Sequence, residues 1–175
     1  MKTLVIVRHG AFDHDDPQIA DVNRPLSRKG KKHVATAADR FSALQIKPDL
    51  LISSPAKRSV ETAIVFADKL EISPDSIQIE NRIFEAERGE ILQVIRALDS
   101  SVEAVVLFGH HPSVTDLLHH LTDSEIAKIQ LGAFAVLEFH CDSWGEVSFK
   151  RGNMREYVDP EEKKQRHGLW RFLGF

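Results

Sequence analysis

The sequence predicts an α/β fold, a three-layer sandwich in which helices flank a mostly parallel central sheet. Short apolar runs rich in β-branched residues, typical of buried strands, alternate with longer segments whose apolar residues recur at helical spacing. The 175 residues, 42% of them hydrophobic, suit one domain with a well-packed core.

Each element follows from its own pattern. The unbroken runs TLVIV and EAVVLF predict strands buried on both faces, whereas the alternating SIQIE predicts an edge strand. In chain order the predicted elements are a strand at 3–7, a helix at 27–45, a strand at 49–54, a helix around 60–70, an edge strand at 76–80, a helix around 91–98, a strand at 103–108, a helix around 114–121, and a hairpin of 133–140 with 146–152.

The chain changes character near its end. The charged stretch DPEEKKQRHG is followed by the apolar LWRFLGF. We therefore divide the chain into a main domain at 1–152 and a tail at 153–175. The tail is expected either to fray and pack on its own domain or to dock on a partner chain, another protomer or a membrane surface.

Composition excludes several classes of protein. The formal net charge of −3 provides no basic field for nucleic acid. One cysteine, Cys141, rules out a disulfide within the chain and fits a reducing cytoplasm. The first apolar run is too short for a signal peptide, and no segment approaches the length of a membrane span. A cytoplasmic protein is the expectation.

Cations and imidazoles gather at the ends of three predicted strands. Arg8, His9 and Gly10 follow the first strand, Arg58 comes after the second, and His110 follows EAVVLF. Ligands of open α/β sheets bind outside the carboxyl ends of the strands, so these side chains are expected at one site. Arginine forks match phosphate oxygens, and a neutral histidine is a competent nucleophile. The pattern predicts phosphoryl transfer.

Four motifs carry a family resemblance: VRHG (7–10), RPLSRKG (24–30), SSPAKRSVETA (53–63) and LFGHHP (107–112). Over about residues 1–150 the chain resembles the histidine phosphatase superfamily, whose fold is phosphoglycerate mutase-like. Within it, the resemblance is greatest to the SixA-type phosphohistidine phosphatases. The domain at 1–152 is then expected to be the catalytic domain.

The resemblance implies a role for each core residue. His9 is expected to take the phosphoryl group as a phosphohistidine intermediate. Arg8 and Arg58 are expected to clamp the phosphate. His110 is expected to contact the phosphoryl oxygens as the second catalytic histidine.

The residues around this core also have expected roles. Gly10 is expected to let the chain turn sharply and approach the ligand, and His111 to border the substrate pocket. Ser27 and Gly30 are expected to build the helix start beside the pocket.

The general acid is less defined. The family's acid tends to follow the third strand, which indicates Glu85, with Glu87 as the near alternative; either is equally well read as a solvated acid at a helix start. An imidazole leaving group needs far less protonation than an alkoxide, so a missing acid favours phosphohistidine. Ala11 and Glu61 replace an acidic residue and a Gln common in the superfamily, which argues against its usual sugar-phosphate substrates.

The loop at 11–26 is short and acidic, with no insertion long enough for a lid, and an open site admits a phosphorylated side chain on a protein surface. The stretch DHDD at 13–16 could be read as a metal site, but the expected chemistry needs no metal or cofactor. We expect a metal-independent phosphatase acting on protein phosphohistidine. The alternatives are a phosphatase for small sugar or nucleotide phosphates and a non-catalytic phosphate-binding adapter.

Overall fold

The computed structural model describes residues 1–13 and 16–162. This part of the chain holds six strands and four α-helices. The strands are β1 (Lys2–Arg8), β2 (Leu50–Ser53), β3 (Gln78–Ile79), β4 (Ala104–Gly109), β5 (Phe134–Phe139) and β6 (Asn153–Val158). The helices are α1 (Arg28–Ser42), α2 (Lys57–Lys69), α3 (Arg88–Arg96) and α4 (Ser113–Leu121). None of these helices is long and apolar enough to cross a membrane.

The strands form one mixed sheet in the order β3-β2-β4-β1-β5-β6. The pairs among β3, β2, β4 and β1 are parallel, but β5 is antiparallel to both of its neighbours. The expectation of a mostly parallel sheet is therefore wrong. After α4, residues 122–133 carry the chain back to the carboxyl end of β1, where the Arg8 N–H donates to the Ala133 carbonyl, so β5 starts at that edge and runs the opposite way.

The predicted hairpin is also displaced. Its second strand is β6 at Asn153–Val158, not 146–152. The segment before it makes a 3-10 turn (Trp144–Glu146) whose Trp144 is fully buried, so this stretch packs into the core instead of pairing with β5. The sheet thus extends past residue 152 into the segment assigned to the tail. The remainder of that segment, residues 163–175, lies outside the described residues.

Helices cover both faces of the sheet, which confirms the α/β class. Along β1, Leu4 and Ile6 pack in a core with α3 and α4, whereas Val5 and Val7 pack in a second core with α1 and α2. All four side chains are fully buried. Burial on both faces explains why the run is continuously apolar. The carboxyl end of β1 is consequently a rigid mount.

Candidate active site

The sheet register brings Arg8, His9 and His110 together. Arg8 pairs with Gly109 at the carboxyl ends of β1 and β4, and the His9 N–H donates to the Gly109 carbonyl at 3.1 Å. The ring centroids of His9 and His110 lie 5.0 Å apart. Two residues that follow different strands are therefore neighbours in the predicted site.

His9 is held as a neutral imidazole. It is 4% exposed, and its Nδ1 lies 2.8 Å from the Gly10 carbonyl oxygen. Because a carbonyl only accepts, Nδ1 carries the hydrogen and Nε2 keeps its lone pair. Burial lowers the pKa of His9 to about 3; the Gly10 hydrogen bond opposes this change, and His110, Arg58 and Arg8 add to the lowering. An uncharged ring whose Nε2 keeps its lone pair suits a nucleophile.

Arg58 lies in the first turn of α2 and is 6% exposed. Its Nη1 donates to the backbone carbonyl of Asp21 at 2.7 Å, and its Nη2 donates to Oδ2 of the same residue at 2.8 Å. The Phe12 ring covers the guanidinium, with its centroid 4.4 Å from Cζ. Sequence reasoning missed both partners, because the loop at 11–26 reads as a solvated acidic segment.

His110 is oriented by Ser54, which follows β2. Its Nε2 lies 2.7 Å from Oγ of this fully buried serine. Burial, followed by Arg58, lowers the pKa of His110 to about 4, although Asp21 opposes the change. His110 is therefore neutral at neutral pH. Ser54 stands in the SSP motif, but the pattern alone gave it no role.

Arg8 is fixed by the segment before β5. Its Nη1 donates to the Ile129 carbonyl at 2.9 Å, and the Gly132 N–H lies within hydrogen-bond distance of the carbonyls of Arg8 and His9. Tyr157 in β6 braces this segment through its hydroxyl, which accepts the Gln130 N–H at 3.1 Å. The position of Arg8 thus depends in part on β6, which lies two strands away from β1 in the sheet.

Three buried side-chain nitrogens lack a hydrogen-bond partner among the described residues: Nε of Arg8, Nε of Arg58 and Nδ1 of His110. All three belong to this cluster. A buried donor without a partner costs about 1–3 kcal/mol, so such atoms call for an explanation. An anion with several acceptor oxygens would satisfy both arginine nitrogens, and the imidazole nitrogen as well in the tautomer that carries its hydrogen on Nδ1.

Gly10 lies where close packing leaves no room for a side chain. It does not adopt a left-handed backbone; instead, a Cβ at this position would lie 2.5 Å from Cγ2 of Val34 in α1. Its N–H donates to Oγ1 of Thr62, which in turn donates to the Arg58 carbonyl. Close packing therefore ties the end of β1 to both helices on that face. Its role in binding substrate stays a prediction.

Ser27 and Gly30 have the structural roles expected of them. The Ser27 hydroxyl caps α1 by accepting the Gly30 N–H at 3.0 Å, and it donates to the Ala11 carbonyl at 3.2 Å. Gly30 meets the same residue so closely that a Cβ would lie 1.9 Å from the Ala11 oxygen. Together they hold the loop after β1 against the helix start.

A cleft of about 420 Å³ leads to this cluster. Its lining includes Asp21, Arg58, Phe84, Glu85, Glu87, His110 and His111. Both candidate acids are exposed, and Glu87 directly precedes α3, where its N–H donates to Glu90 at 2.9 Å. His111 is exposed, with Nδ1 3.1 Å from Oγ1 of Thr115. The structure thus places Glu85, Glu87 and His111 at the cleft wall.

Across residues 1–13 and 16–162, no group of three or more His, Cys, Asp or Glu side chains is arranged to hold a metal ion. The metal reading of 13–16 depends on His14 and Asp15, which lie outside the described residues.

A family model describing the histidine phosphatase superfamily (branch 1) matches residues 4–98, more than half of the chain. The chain belongs to the histidine phosphatase superfamily. This membership confirms the resemblance drawn from the four motifs and supports phosphatase activity.

Several solved structures share the fold of this histidine phosphatase. The tungstate complex of the protein histidine phosphatase SixA is 22% identical, with a TM-score of 0.76 over 90% of this chain and 97% of that one. A putative phosphohistidine phosphatase SixA from Agrobacterium tumefaciens is 21% identical, with a TM-score of 0.77 over the same shares. A mycobacterial glucosyl-3-phosphoglycerate phosphatase is 16% identical, with a TM-score of 0.63 over 88% and 97%.

The chain also matches a curated protein at the level of sequence. An uncharacterized chloroplastic protein of Arabidopsis thaliana is 26% identical over an alignment 158 positions long, and this alignment covers 83% of this chain and 70% of that protein.

Proposed function

We propose that this histidine phosphatase removes the phosphoryl group from phosphohistidine on a protein, through a phosphoenzyme formed on Nε2 of His9. One observation carries the proposal. A neutral, buried histidine whose Nε2 keeps its lone pair stands among three buried nitrogens, on Arg8, Arg58 and His110, that have no hydrogen-bond partner among the described residues.

The chemistry has two displacement steps. The Nε2 lone pair attacks phosphorus and a P–N bond to His9 forms, while the P–N bond to the substrate imidazole breaks; this imidazole is protonated on its other nitrogen and leaves as a neutral ring. Water then attacks the phosphoryl group on His9 and gives a proton to solvent, which releases inorganic phosphate and restores the neutral His9 ring. Arg8, Arg58 and His110 stabilise the charge that spreads over the equatorial oxygens, so the proposal requires no metal ion.

The leaving group favours phosphohistidine over an ester. Imidazole leaves with a conjugate-acid pKa of about 6.5, far below that of an alcohol, and needs little help from an acid. Glu85 and Glu87 are exposed at the cleft wall and are not buried against the cluster. Two of the structures named above, the protein histidine phosphatase SixA and the putative phosphohistidine phosphatase SixA, support the same substrate class.

A second candidate is hydrolysis of a small phosphomonoester. The presence of Glu85 and Glu87 in the cleft favours it, since either carboxyl group could protonate an alkoxide. The glucosyl-3-phosphoglycerate phosphatase with the same fold supports this alternative.

The deciding experiment compares turnover of a phosphohistidine-bearing protein with turnover of a panel of sugar and nucleotide phosphates, with and without EDTA. We expect preference for the phosphoprotein, no effect of EDTA, and loss of activity in His9→Ala but not in His140→Ala, which changes an exposed histidine outside the cluster. Substantial activity in His9→Ala would refute the mechanism. A strong preference for one metabolite would select the second candidate, and tight phosphate binding without turnover would indicate an adapter.

A further inference from the structure

Asp21 makes two contacts with Arg58, although the two residues are 37 positions apart in the chain. It opens a short 3-10 turn (Asp21–Asn23) that lies against α2. Its backbone carbonyl receives Nη1 and its carboxylate receives Nη2. One residue thus occupies both terminal nitrogens of a guanidinium in the candidate site.

We propose that Asp21 is a positioning residue for phosphoryl transfer: it holds the Arg58 guanidinium so that the Nε–H remains available to a phosphoryl oxygen. The inference rests on the proposed function, because it assigns Arg58 to the transferring group.

The contacts of the N–H donors of Arg58 support this role. A guanidinium has five N–H donors in a fixed plane. Asp21 takes one from each Nη, the Phe12 ring covers one face at 4.4 Å, and the buried Nε–H has no partner among the described residues. The loop at 11–26 therefore fixes one edge and one face of the group and leaves the Nε edge to the ligand.

A carboxylate beside a phosphate clamp could instead act as a competitor that occupies the arginine until substrate displaces it. The backbone contact argues against that role. A side chain can leave by rotating, but the carbonyl of Asp21 can leave Nη1 only if the turn itself moves. In addition, the Asp21 side chain is 55% exposed, so water screens its repulsion of an incoming anion.

Asp21 also lines the cleft beside His110. Its charge acts to raise the pKa of that imidazole, whereas burial and the two arginines lower it. Its loss would therefore disturb two of the three side chains that have a buried nitrogen without a partner in the described part of the chain. A residue needed only to fold the loop would not have this pattern of contacts.

The test uses the full chain with Asp21→Asn, Asp21→Glu, and Asp13→Asn as a matched control in the same loop, where Asp13 is exposed. Steady-state kinetics on the phosphoprotein give kcat and KM, orthovanadate inhibition reports oxyanion affinity, and circular dichroism confirms folding. We expect Asp21→Asn to lower kcat and weaken vanadate inhibition by about tenfold each, because small displacements of a positioned group are costly. Asp21→Glu should recover part of the loss, and Asp13→Asn should match wild type.

Arg58→Gln supplies the second arm. If Asp21 acts through Arg58, adding Asp21→Asn to Arg58→Gln causes no further loss of kcat, since effects of coupled residues are not additive. Unchanged kcat with equal or tighter vanadate inhibition in Asp21→Asn would overturn the proposal and indicate a competitor. Additive losses in the double variant would overturn it as well.

The two proposals fail differently. Activity that persists in His9→Ala refutes the phosphoenzyme whatever the Asp21 variants do. If His9→Ala is inactive while Asp21→Asn behaves as wild type, the proposed function stands and the role of Asp21 alone is refuted.

Discussion

The hydroxyl of Ser54 lies 2.7 Å from Nε2 of His110 and joins the end of β2 to the end of β4. Its oxygen also faces the Ala56 N–H at 3.3 Å, so the hydroxyl hydrogen is available to the imidazole. A neutral His110 that accepts this hydrogen at Nε2 carries its own hydrogen on Nδ1. That nitrogen is the partnerless one, and in this tautomer it becomes a donor for a phosphoryl oxygen.

Ser54→Ala should therefore lower kcat by about threefold to tenfold, the value of one lost hydrogen bond, with little change in KM. Ser73→Ala, which changes an exposed serine, is the control. Steady-state kinetics on an aryl phosphate measure the effect. An unchanged kcat in Ser54→Ala would show that the hydroxyl does not set the tautomer of His110.

The lowered pKa of His9, about 3 against an ordinary value of 6.5, links stability to pH. Between these values the unfolded chain binds a proton at His9 that the folded chain does not, so stability falls as pH is lowered from about 7 toward 4 and does not change for this reason above 7. His9 alone should cost about 2 kcal/mol at pH 5 relative to pH 8.

Thermal unfolding in phosphate-free buffer checks this. We expect Tm to fall between pH 8 and pH 5 by less in His9→Gln than in wild type, because the variant has no imidazole to protonate when it unfolds. An equal fall in both proteins would contradict the neutral, buried state of His9.

Glu85→Gln separates the two substrate classes. An alkyl phosphate leaves as a basic alkoxide and gains about 10²–10⁴-fold from general acid catalysis, whereas phosphohistidine gains little. We expect Glu85→Gln to reduce alkyl phosphate turnover about a hundredfold and to change phosphohistidine turnover less than about twofold. Glu87→Gln, made in parallel, shows which carboxyl group acts. A large loss on phosphohistidine in either variant would contradict the leaving-group argument.

The sequence was sufficient to locate Arg8, His9 and His110 at one edge of the sheet. They stand at the carboxyl ends of buried parallel strands, and these ends lie at the same edge, where ligands bind. It was not sufficient to find Asp21 or Ser54. Asp21 contacts a residue 37 positions further along the chain, and Ser54 contacts one 56 positions further along. The local sequence around an exposed acid, or around a serine after a strand, does not indicate such a distant partner. The direction of β5 was not predicted either. An apolar run indicates that a strand is buried, but not whether the loop before it returns the chain parallel or antiparallel to the neighbouring strand.

Gly30 and Gly89 should respond oppositely to the same substitution. A Cβ at Gly30 would lie 1.9 Å from the Ala11 oxygen, so Gly30→Ala must push the helix start from the loop after β1 and should destabilise by about 1–3 kcal/mol or more. A Cβ at Gly89, in the first turn of α3, meets nothing within 4 Å, and Gly89→Ala should stabilise by about 0.5–1 kcal/mol. Denaturant unfolding measures both, and a loss of stability in Gly89→Ala would contradict the open space there.

The end of the catalytic domain can be located by comparing a chain that stops after residue 152 with one that stops after residue 162. The first lacks β6, whose Tyr157 pairs with Ala135 in β5 and braces the segment that holds Arg8. We expect it to expose the edge of β5 and to aggregate or lose activity, because an unpaired strand edge templates association. The second keeps every described contact of β6 and should retain the wild-type Tm and kcat. Size-exclusion chromatography and kinetics make the comparison. Tyr157→Phe in the full chain keeps β6 and removes only the hydroxyl that accepts the Gln130 N–H. If the chain ending at residue 152 is monomeric and fully active, then β6 is not part of the catalytic domain.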